Sequence, residues 1–132
     1  MKDNKWPVIH SGFSGGAKKA ALMSADLMTT GANVVGCFMS GVNEEYFVNG
    51  LNRVTKKSAA KRQYRRMAVF LCSGSTDEVA TPAQHQSVEK KVKSAGIKAT
   101  KIHTFEGGHN ANWGVLPEAI EWILANCKDE FK

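Results

Sequence analysis

Four short apolar runs alternate with four helix-forming stretches, and this alternation predicts an α/β fold: three layers, with a four-stranded, mostly parallel sheet flanked by helices. Two further observations carry the prediction. Residues 34–39 (VVGCFM) and 67–72 (MAVFLC) are apolar throughout, as strands are when both of their faces are covered. Each strand-like run is also separated from the next by about one helix, and such crossovers require parallel neighbours.

The elements follow in order. Val8 to Ser11 form the first strand, with Pro7 at its start, a position that tolerates proline. The glycine turn GFSGG leads into a helix over residues 15–30, closed by Gly31 as a left-handed cap. After the strand at 34–39 comes a turn, then a helix over 44–63 with Phe47, Leu51, Val54 and Ser58 along its inward stripe. The strand at 67–72 is followed by the loop SGSTDEVA. Thr81, Pro82 and Gln84 then mark a helix start, in which threonine caps, proline fills the first turn and glutamine returns a bond to the cap. His85, Val88, Val92 and Ala95 make that helix's apolar face, and Gly96 ends it. The last strand, 97–105, carries Lys98 and Lys101, charges suited to a sheet edge. The loop EGGHNANWG leads to a final helix with Leu116, Ile120, Ile123 and Cys127 on one side.

A length of 132 residues predicts one domain over 1–132, with a core of moderate size. The chain is 42% hydrophobic and 23% charged, the balance of a soluble globular protein. No apolar run reaches membrane-spanning length and MKDNK leads into no signal segment, so the expected compartment is the cytoplasm, without membrane association. Cys37, Cys72 and Cys127 lack metal-type spacing and read as buried free thiols of a reducing compartment. Much of the net charge of +6 is local to Lys56, Lys57, Lys61, Arg62, Arg65 and Arg66. A helix that opens with Glu44 and Glu45 and closes with bases satisfies its own dipole, so this run is read as a solvated helix end rather than a nucleic-acid surface.

In open parallel sheets, sites gather at the carboxyl ends of the strands. Ser14 follows the first strand, Asp77 the third and His109 the fourth. A serine hydroxyl needs a base to become a nucleophile, and the imidazole base needs a carboxylate to fix its tautomer. Taken alone, G-x-S-x-G fits a glycine-rich turn or a phosphate-cradling loop equally well. With the other two loops it reads as a nucleophile elbow. Gly12 and Gly16 then allow strand and helix to approach closely, and the N–H of Gly15 faces a developing oxyanion. Asp77 is preferred as the acid, with its neighbour Glu78 the rival. His10 and His103 lie within strands and His85 on a helix face, where structural roles are expected.

GFSGG around Ser14, GSTDEVATP around Asp77 and FEGGHNANW around His109 together resemble the α/β-hydrolase family. The resemblance runs over essentially the whole chain, but matches only the C-terminal half of the family's domain, from the nucleophile strand onward. It therefore implies a minimal or truncated version of that fold. The family's first four strands have no counterpart, nor does the glycine-rich loop that supplies a second oxyanion donor. The segment after the second strand holds too little for a lid.

What the resemblance implies is a serine esterase acting on short or small soluble esters through Ser14, His109 and Asp77, with Gly15 in the oxyanion hole and no cofactor or metal. Phe13 and Trp113 are candidate pocket walls, with a place in the core the equal alternative for each. The alternatives are a catalytically inactive hydrolase-like binding module and a basic, nucleic-acid-associated protein. A homodimer or higher oligomer is expected, joined through the edge strand from Val8 to Ser11 and the last helix, because both lack the neighbours they have in the full domain.

Overall fold

The computed structural model describes residues 6–55 and 58–127, the side chain of Ser58 excepted. Strands β1 (Val8–Phe13), β2 (Val34–Ser40), β3 (Ala68–Gly74) and β4 (Ala99–Phe105) form one sheet in the order β1-β2-β3-β4, and every neighbouring pair is parallel. The helices are α1 (Gly15–Lys18), α2 (Ala20–Thr29), α3 (Phe47–Val54), α4 (Ser58–Arg65), α5 (Pro82–Ser94) and α6 (Leu116–Asn126).

β2 and β3 are buried along their whole lengths, in keeping with their unbroken apolar sequences. In β3, Val69 and Leu71 enter the core shared with α2, α3, α4 and α5, while Ala68, Phe70 and Cys72 enter a second core beneath α6. The sheet is thus the middle of three layers. A register shift between Val8 and Ile9, opposite Val34 and Gly36, places Val34 in the first core and Val35 in the second. A Cβ on Gly36 would meet the Ala68 carbonyl and come 2.5 Å from Ile123 Cγ2, so this glycine lets α6 seat on the sheet.

Several boundaries differ from the sequence reading. The first helix is broken at Lys19, and its opening turn is tight, with the N–H groups of Ala17 and Lys18 both donating to the Ser14 carbonyl. The segment read as one helix over 44–63 is two. Glu44 and Glu45 precede α3 rather than opening it, because the Glu45 carboxylate accepts from the Phe47 N–H and caps the helix from outside. The dipole argument for one continuous helix therefore falls, although Arg62 and Arg65 do occupy the last turn of α4. Lys56 and Lys57 lie outside the described residues, as does the Ser58 side chain. On α6, Ala119, Ile123 and Cys127 are buried, but Ile120 is turned outward with Leu124. Lys98 precedes β4 instead of lying in it.

The helix start at α5 has the expected form. Thr81 Oγ1 accepts from the Gln84 N–H and Gln84 Oε1 accepts from the Thr81 N–H, a reciprocal capping box. Among the described residues, no helix is long and apolar enough to cross a membrane.

Candidate active site

The four connections that leave the carboxyl ends of the strands meet above the sheet. The first is a single residue. Ser14 has φ 53° and ψ −115°, a left-handed backbone that a non-glycine residue adopts at a cost of about 1–3 kcal/mol. The turn is fixed from both sides, because the Ser14 N–H donates to Ser40 O at 2.9 Å while the Ser14 carbonyl receives the opening bonds of α1. A Cβ on Gly12 would lie 2.7 Å from the Gly16 carbonyl carbon and 2.8 Å from the Ala17 nitrogen, so only glycine allows the helix to start this close to the strand. Gly16 does not share that role, since a Cβ there would meet open space; the close approach is made by its backbone.

Asp77 lies in the connection after β3, with its side chain 1% exposed. Its Oδ1 accepts from the N–H groups of Val79 and Ala80, both at 2.8 Å, and its Oδ2 lies 2.8 Å from His109 Nδ1. Burial by itself would push the carboxyl up, but the bonds from Ala80, His109 and Val79 outweigh it and hold Asp77 below its ordinary value. Glu78 points outward and is exposed.

His109 sits in the connection after β4, between the other two residues. With Nδ1–H donating to Asp77, Nε2 is left as the acceptor, and it lies 3.1 Å from Ser14 Oγ. Ser14 and His109 are 95 positions apart in the chain. The Phe13 ring packs on the imidazole with centroids 4.7 Å apart. Trp113, 49% exposed, lies at the same end of the sheet and rests on Phe38 at 5.8 Å.

The remaining histidines lie apart from this hydrogen-bonded chain. His10 Nε2 is 3.4 Å from the Gly16 carbonyl, and His103 stacks on Phe70 near Glu118. His85 is fully buried. Its Nδ1–H donates to Thr81 O at 2.9 Å and its Nε2 accepts from the Val42 N–H at 3.2 Å. Burial pushes its pKa down, and the bond from Val42 needs the neutral ring.

Three residues that support the site went unrecognised in the sequence. Ser40 Oγ donates to Ala111 O at 2.8 Å and ties the His109 loop to the end of β2. Gly41 has φ 59°, and a Cβ on it would come 2.8 Å from Phe13 Cε1 and 3.0 Å from His109 Cε1. A Cβ on Gly74 would run into the Gly108 carbonyl oxygen and come 2.6 Å from that of Gly107. The dipeptides Ser40–Gly41 and Ser73–Gly74, each at the end of an apolar strand, were the available signal, and they read as ordinary turns.

Burial pushes the Cys37 thiol up to about 11 and the Cys72 thiol upward as well, which keeps both in the unreactive form. No group of three or more His, Cys, Asp or Glu side chains among the described residues could hold a metal ion.

No family model matches the sequence, and no curated protein matches it. Solved structures do. An acyl-protein thioesterase 2 from Zea mays superposes with a TM-score of 0.68 at 20% identity, over 96% of this chain and 58% of that one. A carboxylesterase from Bacillus cereus superposes with a TM-score of 0.59 at 17% identity, over 90% of this chain and 50% of that one. The chain thus spans between half and three-fifths of the length of these proteins, and at such identities the likeness speaks for the fold. With its parallel sheet, its sharp turn after β1 and helices on both faces, the chain has the α/β-hydrolase fold.

Proposed function

We propose that this chain is a serine hydrolase of carboxylic esters or thioesters. The observation that carries the reading is the unbroken hydrogen-bonded line from Ser14 Oγ through both nitrogens of His109 to the buried carboxylate of Asp77. In this reading Ser14 Oγ attacks the acyl carbon as His109 Nε2 takes its proton. Asp77 stabilises the imidazolium and keeps Nδ1 protonated throughout. The tetrahedral oxyanion forms beside the N–H of Gly15, the first residue of α1, where a well-placed donor contributes about 3 kcal/mol. His109 then gives its proton to the departing alcohol or thiol, leaving an acyl group on Ser14. Water enters, loses a proton to the same nitrogen, and releases the acid.

The names of the two neighbours, a thioesterase and a carboxylesterase, support both substrate types. Short acyl groups are favoured because the segment between β2 and β3 spends its apolar side chains Phe47, Val54 and Tyr64 in the core rather than in a wall over Ser14. We further propose that two copies pair through β1, which lies at the sheet edge, with the outward Ile120 and Leu124 of α6 contributing apolar area. Light scattering tests this, and a monomer at micromolar concentration would refute it.

The decisive experiment for the chemistry is labelling with a fluorophosphonate, read by peptide mass spectrometry alongside turnover of p-nitrophenyl acetate. The label is expected on Ser14, with both signals lost in a folded Ser14→Ala protein. Undiminished turnover in that variant overturns the assignment.

A further inference from the structure

Residues 40–43, where β2 ends and its connection begins, touch all three of the connections that carry Ser14, Asp77 and His109. The Ser40 carbonyl accepts from the Ser14 N–H, and Ser40 Oγ donates to Ala111 O in the His109 connection. Gly41 donates its N–H to Cys72 O in β3. Its Cα faces Phe13 and the imidazole of His109 so closely that a Cβ would lie 3.2 Å from His109 Nδ1. Asn43 Nδ2 donates to Val79 O in the Asp77 connection. A displacement of this segment is therefore felt by nucleophile, base and acid together.

Val42 is anchored from outside these connections. Its N–H donates to His85 Nε2 at 3.2 Å, and both residues are fully buried. His85 stands in the opening turn of α5, where its other nitrogen orients the ring: Nδ1–H donates to Thr81 O at 2.9 Å, which leaves Nε2 as the acceptor. Thr81 is itself held by the capping box with Gln84, so the imidazole stands on a fixed base. The bond reaches the site through the backbone. A peptide unit is planar, so whatever holds the Val42 N–H also steers the Gly41 Cα at the far corner of the same plane. Gly41, at φ 59°, adds little stiffness of its own, because glycine populates both signs of φ about equally.

From this geometry we infer that His85 is a positioning residue for hydrolysis: the acceptor nitrogen of its ring holds the Gly41–Val42 peptide against His109 and so keeps the base in line with Ser14. The inference rests on the hydrolase reading. His85 touches no reacting atom and acts only through that peptide.

A role confined to the core predicts something different. Leucine would keep the apolar contacts of the buried ring but offer nothing to the Val42 N–H. A glutamine amide can accept from Val42 with Oε1 and donate to Thr81 O with Nε2, whereas an asparagine amide reaches Thr81 O and falls short of Val42. The test measures kcat and KM for p-nitrophenyl acetate in the wild-type protein and in His85→Leu, His85→Asn and His85→Gln, each checked for folding by circular dichroism. In His85→Leu, and in His85→Asn should leucine not fold, kcat is expected to fall by about 10- to 100-fold as the base drifts by up to about 1 Å. Acylation and deacylation use the same nitrogen and slow together, so KM is expected to stay within about threefold. His85→Gln is expected to recover kcat to within about threefold of wild type. Undiminished kcat in a folded leucine or asparagine variant, a change confined to KM, or glutamine no better than the other two overturns the inference and leaves the hydrolase reading standing. No turnover by the wild-type protein overturns both.

Discussion

The acid and the base of the proposed reaction stand on neighbouring connections that are held by different means. The Asp77 connection, residues 75–81, is largely self-supporting. Its carboxylate ties down Val79 and Ala80 two and three positions ahead, and it runs directly into the capping box of α5. The His109 connection, residues 106–112, owes its position mainly to its neighbours. It contains two glycines and a left-handed Asn112, and it is fastened by Thr76 N–H to Gly107 O and by Ser40 Oγ to Ala111 O. The acid is therefore set by local chemistry and the base by docking. In the proposed reaction, this division sets a group that exchanges protons beside one that stays charged.

The sharpest way to break this contrast is Asp77→Asn. The amide oxygen would keep the N–H groups of Val79 and Ala80, turning Nδ2 toward His109 and forcing the ring proton onto Nε2, the wrong nitrogen for a base. Ester turnover should fall by ~10³–10⁴ with the fold intact by circular dichroism, whereas Glu78→Gln should change turnover of a neutral ester less than about twofold. If Glu78→Gln is the more damaging change, Asp77 is not the acid. Next in size is Gly74→Ala, which drives a methyl group into the backbone of the docked loop and leaves the acid's own bonds untouched. A displacement of about 1 Å at the base costs on the order of 10²-fold in kcat. Wild-type turnover in this variant would show that the loop is not held by that contact.

Sequence legibility follows the same division. The α5 start was readable because every partner lies within three positions of Thr81, and the inner strands because burial on both faces leaves unbroken apolar runs. Asp77 and His109 were readable as chemistry-bearing residues at the ends of strands. Gly41, Gly74 and Ser40 were not, since each is defined by a segment of the His109 loop more than thirty positions away. The outward turn of Ile120 escaped for a related reason, because helical spacing allows more than one stripe and only contact with the sheet selects Ala119 and Ile123.

Acid sharpens the contrast on the stability side. His85 is depressed from 6.5, so its contribution is complete above pH 6.5 and is lost as the pH falls through its folded value. Asp77 is depressed from 3.8, so its contribution is complete above pH 3.8 and is lost only below it. Urea unfolding across this range should weaken first below pH 6.5, as the Val42 turn beside Gly41 loosens, and again below pH 3.8. His85→Gln should abolish the first loss; persistence of that slope in the variant would assign it elsewhere. The smallest expected effect is that of Thr81→Ala. It removes the cap at a cost of about 1 kcal/mol in unfolding free energy and should leave kcat within about twofold, because Asp77 keeps its own bonds. A larger kcat loss would mean that the acid loop leans on the helix after all.

Strand order matches chain order throughout this sheet, so each strand can dock on the one laid down just before it. Folding can then advance as a zipper from β1 to β4, closing one short crossover at a time at modest entropic cost. The hydrogen-bonded line from Ser14 to Asp77 is closed by a single contact spanning 95 positions, and it exists only once the last connection has settled against β2 and β3. For the proposed hydrolase, recovered turnover during refolding would then lag behind the return of helical signal, making activity a clock for the final event of folding.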